Sequence, residues 1–246
     1  MYTISCQIEI GSKRRYNDDR AAVNGIRIKS GQYEGKADKA CLAVVCDGVG
    51  GEACGGEAAD IVTDMFSQMS EMRVSSDTII SYVAMANEAV LDAQAADFKH
   101  SKMATTIAGL YVSGEDFIAF NVGDSRVYRF RSPHISMISK DHSVWKVHAD
   151  AGGMARPLQK RIITRCLGGA ASAPEIVTGE GRVSSGDVFM LCTDGVWNFM
   201  EDEDFEEIMS GVDLCGVRKT GADIVETALR NGSDDNLSVL LIEVRN

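Results

Sequence analysis

Thr105-Thr106-Ile107-Ala108-Gly109-Leu110-Tyr111-Val112, Phe117-Ile118-Ala119-Phe120-Asn121-Val122, Arg126-Val127-Tyr128-Arg129-Phe130-Arg131 and His134-Ile135-Ser136-Met137-Ile138 follow one another along the chain. Only Ser113-Gly114-Glu115, Gly123-Asp124-Ser125 and Ser132-Pro133 stand at the joins. β-Branched and aromatic runs separated by such short turns predict strands that are antiparallel neighbours, because a parallel return needs a long crossover. Working outward, a first strand is expected around residues 3–10 and a second over Cys41–Cys46. A helix follows, with Ala58, Ile61, Val62, Met65, Phe66 and Met69 on one apolar face. A second helix is expected after Ser76-Asp77 as its cap, burying Ile79, Val83, Ala86, Val90 and Ala93. Downstream, 143–165 is polar and Gly-rich, as a surface flap would be. Then come a strand at Val188–Cys192, helices near 201–210 and 219–231, and a last strand at 237–244. Helix pairs thus alternate with runs of strands. The pattern predicts sheets packed on each other with helices outside, an α+β layered domain. No linker divides the chain, so 1–246 is expected to be a single domain.

Four aspartates sit beside these strands. Leu42-Ala43-Val44-Val45-Cys46 ends in Asp47-Gly48, and Val188-Phe189-Met190-Leu191-Cys192-Thr193 ends in Asp194-Gly195. Asp124 follows Val122-Gly123, and Asp235-Asn236 precedes Leu237-Ser238-Val239-Leu240-Leu241-Ile242. A carboxylate at the end of a buried strand is costly unless a cation or donors compensate it. Several such ends in one place would make an oxygen-rich site for a hard divalent ion. Taken singly, Asp47, Asp194 and Asp235 have a plainer use as turn or cap residues before Gly or Asn.

Composition narrows the classes. The 246 residues suffice for a large core. With 45% hydrophobic and 25% charged residues, the chain reads as a soluble globular protein. The formal charge of −11 argues against nucleic acid as the main partner. No apolar run approaches the ~20 residues of a membrane span. Met1-Tyr2-Thr3-Ile4-Ser5-Cys6 lacks a signal-peptide pattern, so a cytoplasmic, monomeric protein is expected. The seven cysteines form no C-x-x-C pair and lie mostly in apolar runs, as reduced core thiols would. The four histidines show no zinc-like spacing with them.

Gly48, Gly50 and Ala53 match G-x-G-x-x-A, between a strand and a helix. A dinucleotide site is rejected because a second helix, not a second strand with a terminal acid, follows the first. Asp47 would also face a pyrophosphate badly. The glycines suit close backbone approach instead: Gly48 could offer its carbonyl to a cation, and Gly50 and Gly51 let the chain turn into the helix.

Further stretches occur in order: Arg14-Arg15-Tyr16-Asn17-Asp18-Asp19, Asp47-Gly48-Val49-Gly50-Gly51, Thr105-Thr106, Gly123-Asp124-Ser125-Arg126, Asp141-His142-Ser143, Thr164-Arg165-Cys166-Leu167-Gly168, Thr193-Asp194-Gly195-Val196-Trp197 and Asp235-Asn236. Together they resemble the metal-dependent serine/threonine phosphatases of the protein phosphatase 2C family, over nearly the whole chain. The resemblance implies a four-layer α/β/β/α sandwich, two antiparallel sheets flanked by helix pairs. It implies two Mn²⁺ or Mg²⁺ ions, with Asp47 bridging both. Asp194 and Asp235 would complete one ion's shell, and the Gly48 carbonyl and Asp18 would serve the other. Asp124 with Asp194 would bind a third, weaker ion. Asp47, Asp194 and Asp235 are then the catalytic carboxylates, and Arg14 the ligand of the substrate phosphate. Two ions sharing a water bring its pKa far below the bulk ~15.7, so hydroxide forms near neutral pH and attacks phosphorus in line. Asp19 would orient ligands, while Asp141-His142 reads as a buried turn network and Trp197 as core.

Departures from the family pattern are informative. Val49 stands where many eukaryotic members carry a histidine, Asn198 where many carry Asp, and Asp18 replaces the commoner Glu. The flap looks short. Val49 and the lack of extensions point to a bacterial type. The expected activity is hydrolysis of phosphoserine and phosphothreonine in proteins, opposed by a serine/threonine kinase. The competing readings are a pseudophosphatase that binds without turnover and a hydrolase of small phosphate esters.

Overall fold

Apolar residues alternate between two buried faces along most strands, and this sets the layers. The computed structural model describes residues 1–49, 54–69, 74–150, 162–169 and 176–245. Gly50, Gly51 and the middle of the expected flap, 151–161, lie outside the described residues. In chain order the strands are β1 (Tyr2–Glu9), β2 (Arg20–Val23), β3 (Ile26–Ile28), β4 (Gly31–Ala37), β5 (Ala40–Cys46), β6 (Gly48–Val49), β7 (Ala104–Thr105), β8 (Ile107–Ser113), β9 (Asp116–Val122), β10 (Arg126–Arg131), β11 (His134–Met137), β12 (Val177–Arg182), β13 (Val188–Cys192) and β14 (Leu237–Val244). The helices are α1 (Cys54–Ser67), α2 (Ser76–Ala96), α3 (Val144–Asp150), α4 (Asp194–Trp197), α5 (Asp202–Met209) and α6 (Val212–Arg230).

Two six-stranded antiparallel sheets form, ordered β11-β10-β13-β14-β1-β4 and β12-β9-β8-β5-β2-β3. Between them, Ile4, Cys6 and Ile8 of β1 meet Ala43 and Val45 of β5, Leu110 of β8 and Ile242 of β14. The intervening residues face outward. Val44 and Cys46 pack with Val62 and Phe66 of α1 and with Ile79, Val83 and Val90 of α2. Met190, Val239 and Leu241 pack with Phe205 and Met209 of α5 and Ile224 of α6. Both faces of the central strands, such as β13 and β14, are therefore dry, which explains their near-continuous apolar runs. The four-layer α/β/β/α expectation holds.

Several local expectations do not. Cys41–Cys46 is not the second strand: β2, β3 and β4 precede it. The run from Thr105 breaks at Thr106, so that β7 pairs with β6 while β8 joins the large sheet. β9 and β10 are not neighbours despite their short turn. β9 lies between β12 and β8, and β10 between β11 and β13. Gly123, at φ +106°, lets the chain step from one sheet to the other. The α2 cap is Ser75, whose Oγ accepts from Thr78 N (3.2 Å). The helix expected near 219–231 is present within α6, after a kink at Gly216 (φ +78°); the helical stretch from Val212 before that kink was not expected. Part of the expected flap is helical, as α3.

Candidate functional site

Strand ends bring the aspartates to one edge of the sandwich. Asp47 follows β5, and two threonines at the β7–β8 join fix its backbone. Its N donates to Thr106 Oγ1 (3.0 Å), while Thr105 Oγ1 and Thr106 N donate to its carbonyl (2.9 Å each). The Thr105-Thr106 pair thus has a role that sequence alone left unassigned. Gly48 then abuts Gly55 at the start of α1. A Cβ on Gly48 would lie 2.3 Å from the Gly55 carbonyl, so the strand end and helix touch backbone to backbone. Asp194 opens α4 directly after β13 and Thr193. Its neighbour Gly195 lies against the last loop: a Cβ there would stand 1.9 Å from the Asn236 carbonyl oxygen.

Asn236 ties the first loop to the last strand. Its Nδ2 donates to the carbonyls of Ile10 (2.9 Å) and Tyr16 (3.0 Å), and its Oδ1 accepts from Asp18 N (2.9 Å). Asp18 is thereby tied to Asn236, the residue after Asp235. Asp18 Oδ1 also accepts from Gly56 N in the first turn of α1 (3.1 Å). Asp124 sits in the step between sheets and is 3% exposed. Its turn is held by His142, whose Nδ1 accepts from Gly123 N (3.1 Å) and whose N donates to Gly123 O (2.8 Å). Asp141 receives a two-pronged contact from Arg126 (Nε–Oδ1 3.0 Å, Nη2–Oδ2 2.6 Å), and Arg126 lies 3.4 Å from the Trp197 ring centre. Asp141, His142 and Trp197 are the buried network and core expected of them.

The carboxylates share one field. Burial pushes Asp47 well above the usual carboxylate range, and Asp19, Asp194, Asp124 and Asp235 add to the shift. Burial does the same to Asp124, followed by Asp194 and Asp141. Burial lifts Asp19 to about 7, against the pull of the Ser238 and Thr193 hydroxyls, which donate to its Oδ2 (2.7 and 2.8 Å). Its other oxygen, Oδ1, is buried without a hydrogen-bond partner among the described residues.

Among the described residues, no three His, Cys, Asp or Glu side chains close on a single point as a ready ligand cluster. The acids ring the site instead, several held by local donors. Asp235 faces Arg14 (Nη2–Oδ2 2.5 Å), Asp194 accepts from Asn198 Nδ2 (3.1 Å), and Asp18 accepts from Gly56. Arg14 is half-exposed and lies on the Asp235 carboxylate here. Although burial opposes its charge, Asp235, and beyond it Asp47 and Asp194, hold the guanidinium more firmly protonated than usual. Like charges gathered in a half-dry site, an orphaned buried oxygen and a donor set made only of hard oxygens all suit a hard divalent cation.

The protein phosphatase 2C family model matches residues 29–237. The chain belongs to the protein phosphatase 2C family. Within that family, the serine/threonine protein phosphatase PstP of Mycobacterium tuberculosis is 27% identical over 212 residues, 82% of this chain. The chain spans only 40% of that relative's length. The serine/threonine phosphatase stp of Listeria innocua is 25% identical over 249 residues, covering 95% of this chain and 92% of its own. The Streptococcus agalactiae serine/threonine phosphatase superposes with a TM-score of 0.85 over 100% of both chains, at 25% identity. These relatives are bacterial.

Proposed function

We propose that this chain is a metal-dependent serine/threonine protein phosphatase that hydrolyses phosphoserine and phosphothreonine in proteins. The observation that carries the reading is the gathering of aspartates at the strand ends, where burial and neighbouring carboxylates push Asp47 and Asp124 well above the usual range, in a chain of this family. Asp47, Asp194 and Asp235 would hold one cation, and Asp47, the Gly48 carbonyl and Asp18 a second. Asp124 with Asp194 would take a third, weaker one. The PstP catalytic domain, which shares the fold at 22% identity and a TM-score of 0.82, is described in complex with two manganese ions. Mn²⁺ or Mg²⁺ bound here supplies a nucleophile from water at neutral pH.

The chain's own groups do the rest. Arg14, 51% exposed, reaches out from Asp235 to take two phosphate oxygens in its fork. Thr105 and Thr106 keep Asp47 in register, and Asn236 holds the Asp18 backbone against the start of β14. Asp19 anchors β14 and the Asp194 strand end through Ser238 and Thr193. Val49, an apolar residue, offers no proton to the leaving group. The whole chain would act as one domain, a cytoplasmic monomer in signal transduction opposed by a serine/threonine kinase. Among the described residues no helix is long and apolar enough to cross a membrane.

The test compares a phosphothreonine peptide, a phosphotyrosine peptide and a small aryl phosphate with Mn²⁺ present. Preferred turnover of the phosphothreonine peptide supports the proposal. Turnover of the aryl ester alone favours a small-ester hydrolase, and none at all with Mn²⁺ bound favours a pseudophosphatase.

A further inference from the structure

We propose that Arg20, braced by Asp60, is a positioning residue for Asp18 and thereby sets the affinity of one of the two cations. The inference rests on the metal-binding reading above. Arg20 opens β2, just past the Asp18-Asp19 pair, and its side chain is only 14% exposed. Its Nη1 donates to the carbonyls of Asn17 (2.6 Å) and Asp19 (2.8 Å). One guanidinium nitrogen therefore clasps the backbone on both sides of Asp18. Its Nε lies 3.2 Å from Asp60 Oδ1 on α1. The position a Cβ would take on Gly56 is 2.9 Å from Asp18 Oδ1 and 3.0 Å from Arg20 Nη2, so the acid, the guanidinium and the helix meet at that glycine.

Asp60 is itself held. Arg27 Nη2 and Lys29 Nζ each lie 2.8 Å from its Oδ1. Although burial opposes it, Lys29 and Arg20 keep the Asp60 carboxyl below its usual range. The brace thus runs from the β2–β3 hairpin through Asp60 to Arg20 and then to the two carbonyls.

This chain needs such a brace more than one with glutamate at position 18 would. Aspartate has one methylene fewer and one rotatable bond fewer, so a change of rotamer absorbs less of any shift of its backbone. The carboxylate goes where the loop goes. Lysine at position 20 could keep a charge beside Asp60, but it lacks the planar fork needed to serve Asp60 and both carbonyls together.

Arg20→Lys is therefore the discriminating variant, read by calorimetric Mn²⁺ titration without substrate. Partners behind metal ligands change affinity roughly 10- to 100-fold. One Mn²⁺ step should weaken by about 10-fold or more while the other stays within about 2-fold. The loss should fall on one Mn²⁺ step and spare the other, a selectivity that a merely structural arginine would not produce. Arg27→Lys, which shares Asp60 but does not touch the Asp18 loop, should keep both steps. If Arg20→Lys does not fold, Asp60→Asn removes the charge that aims Arg20 and should weaken the same single step. Wild-type binding of both ions by a folded Arg20→Lys overturns this inference alone. A wild-type chain that binds no Mn²⁺ overturns the metal reading and this inference with it.

Discussion

Replacing Arg14 by alanine should move two affinities in opposite directions. In the structure its Nη2 lies 2.5 Å from Asp235 Oδ2, in the field of Asp47 and Asp194. Any cation at Asp235 must share that carboxylate with the guanidinium or displace it. The pair is open to solvent, at 51% and 24% exposure, so screening limits its strength to roughly 0.2–1 kcal/mol. Removing the competitor should then tighten Mn²⁺ binding by about 2- to 5-fold. The substrate phosphate loses a charged donor pair, worth about 1.5–3 kcal/mol, so KM for a phosphothreonine peptide should rise roughly 10- to 100-fold. kcat should fall less if the contact forms in the ground state. Calorimetry without substrate gives the first quantity and initial rates give the second. Arg14→Lys should recover part of the KM, and Arg15→Ala should change neither by as much. Weaker Mn²⁺ binding in Arg14→Ala, or an unchanged KM, would refute this reasoning. A larger effect from Arg15→Ala would shift the assignment by one residue.

Asp47→Asn should abolish normal binding of two Mn²⁺ and, with the nucleophile supplied by the ions as proposed, lower kcat at least ~10²-fold; calorimetry beside steady-state rates checks both. Asp124→Ala should leave the two main binding steps intact and slow turnover, seen by the same pair of measurements. Gly48→Ala places a methyl 2.3 Å from the Gly55 carbonyl and should cost about 3 kcal/mol or more in urea unfolding. Arg126→Ala leaves Asp141, 4% exposed, without its cation and should cost about 3–5 kcal/mol by the same assay.

The aspartates were legible because they interrupt apolar runs: Asp47 and Asp194 follow β5 and β13, and Asp235 precedes β14. The helices over α1 and α2 were legible from their single apolar faces. β4 was not, because Gly-Gln-Tyr-Glu-Gly-Lys-Ala is half-exposed and lacks an apolar period. β12, with two glycines in Val-Thr-Gly-Glu-Gly-Arg, gave no more signal. The step from β9 to β10 looked like a hairpin because turn length cannot say whether both strands stay in one sheet; Gly123 at positive φ decides it. In the site, acidic identities were readable, but their partners were not. Nothing local marks Asn236 as the tie to Asp18, or Arg20 as a clasp, because both contacts join segments far apart in sequence or carbonyls that carry no side-chain signature. Arg14 shows the converse, a residue singled out for phosphate that lies on Asp235.

On the proposed function, hydrolysis depends on divalent ions held by these carboxylates. The most direct measurement is phosphate release from a phosphothreonine peptide by wild-type protein and by Asp47→Asn, each in Mn²⁺ and in excess EDTA. Release by the wild-type protein in Mn²⁺ alone, with Asp47→Asn at least ~10²-fold slower, is the predicted result. Undiminished release in EDTA, or by Asp47→Asn in Mn²⁺, would contradict it.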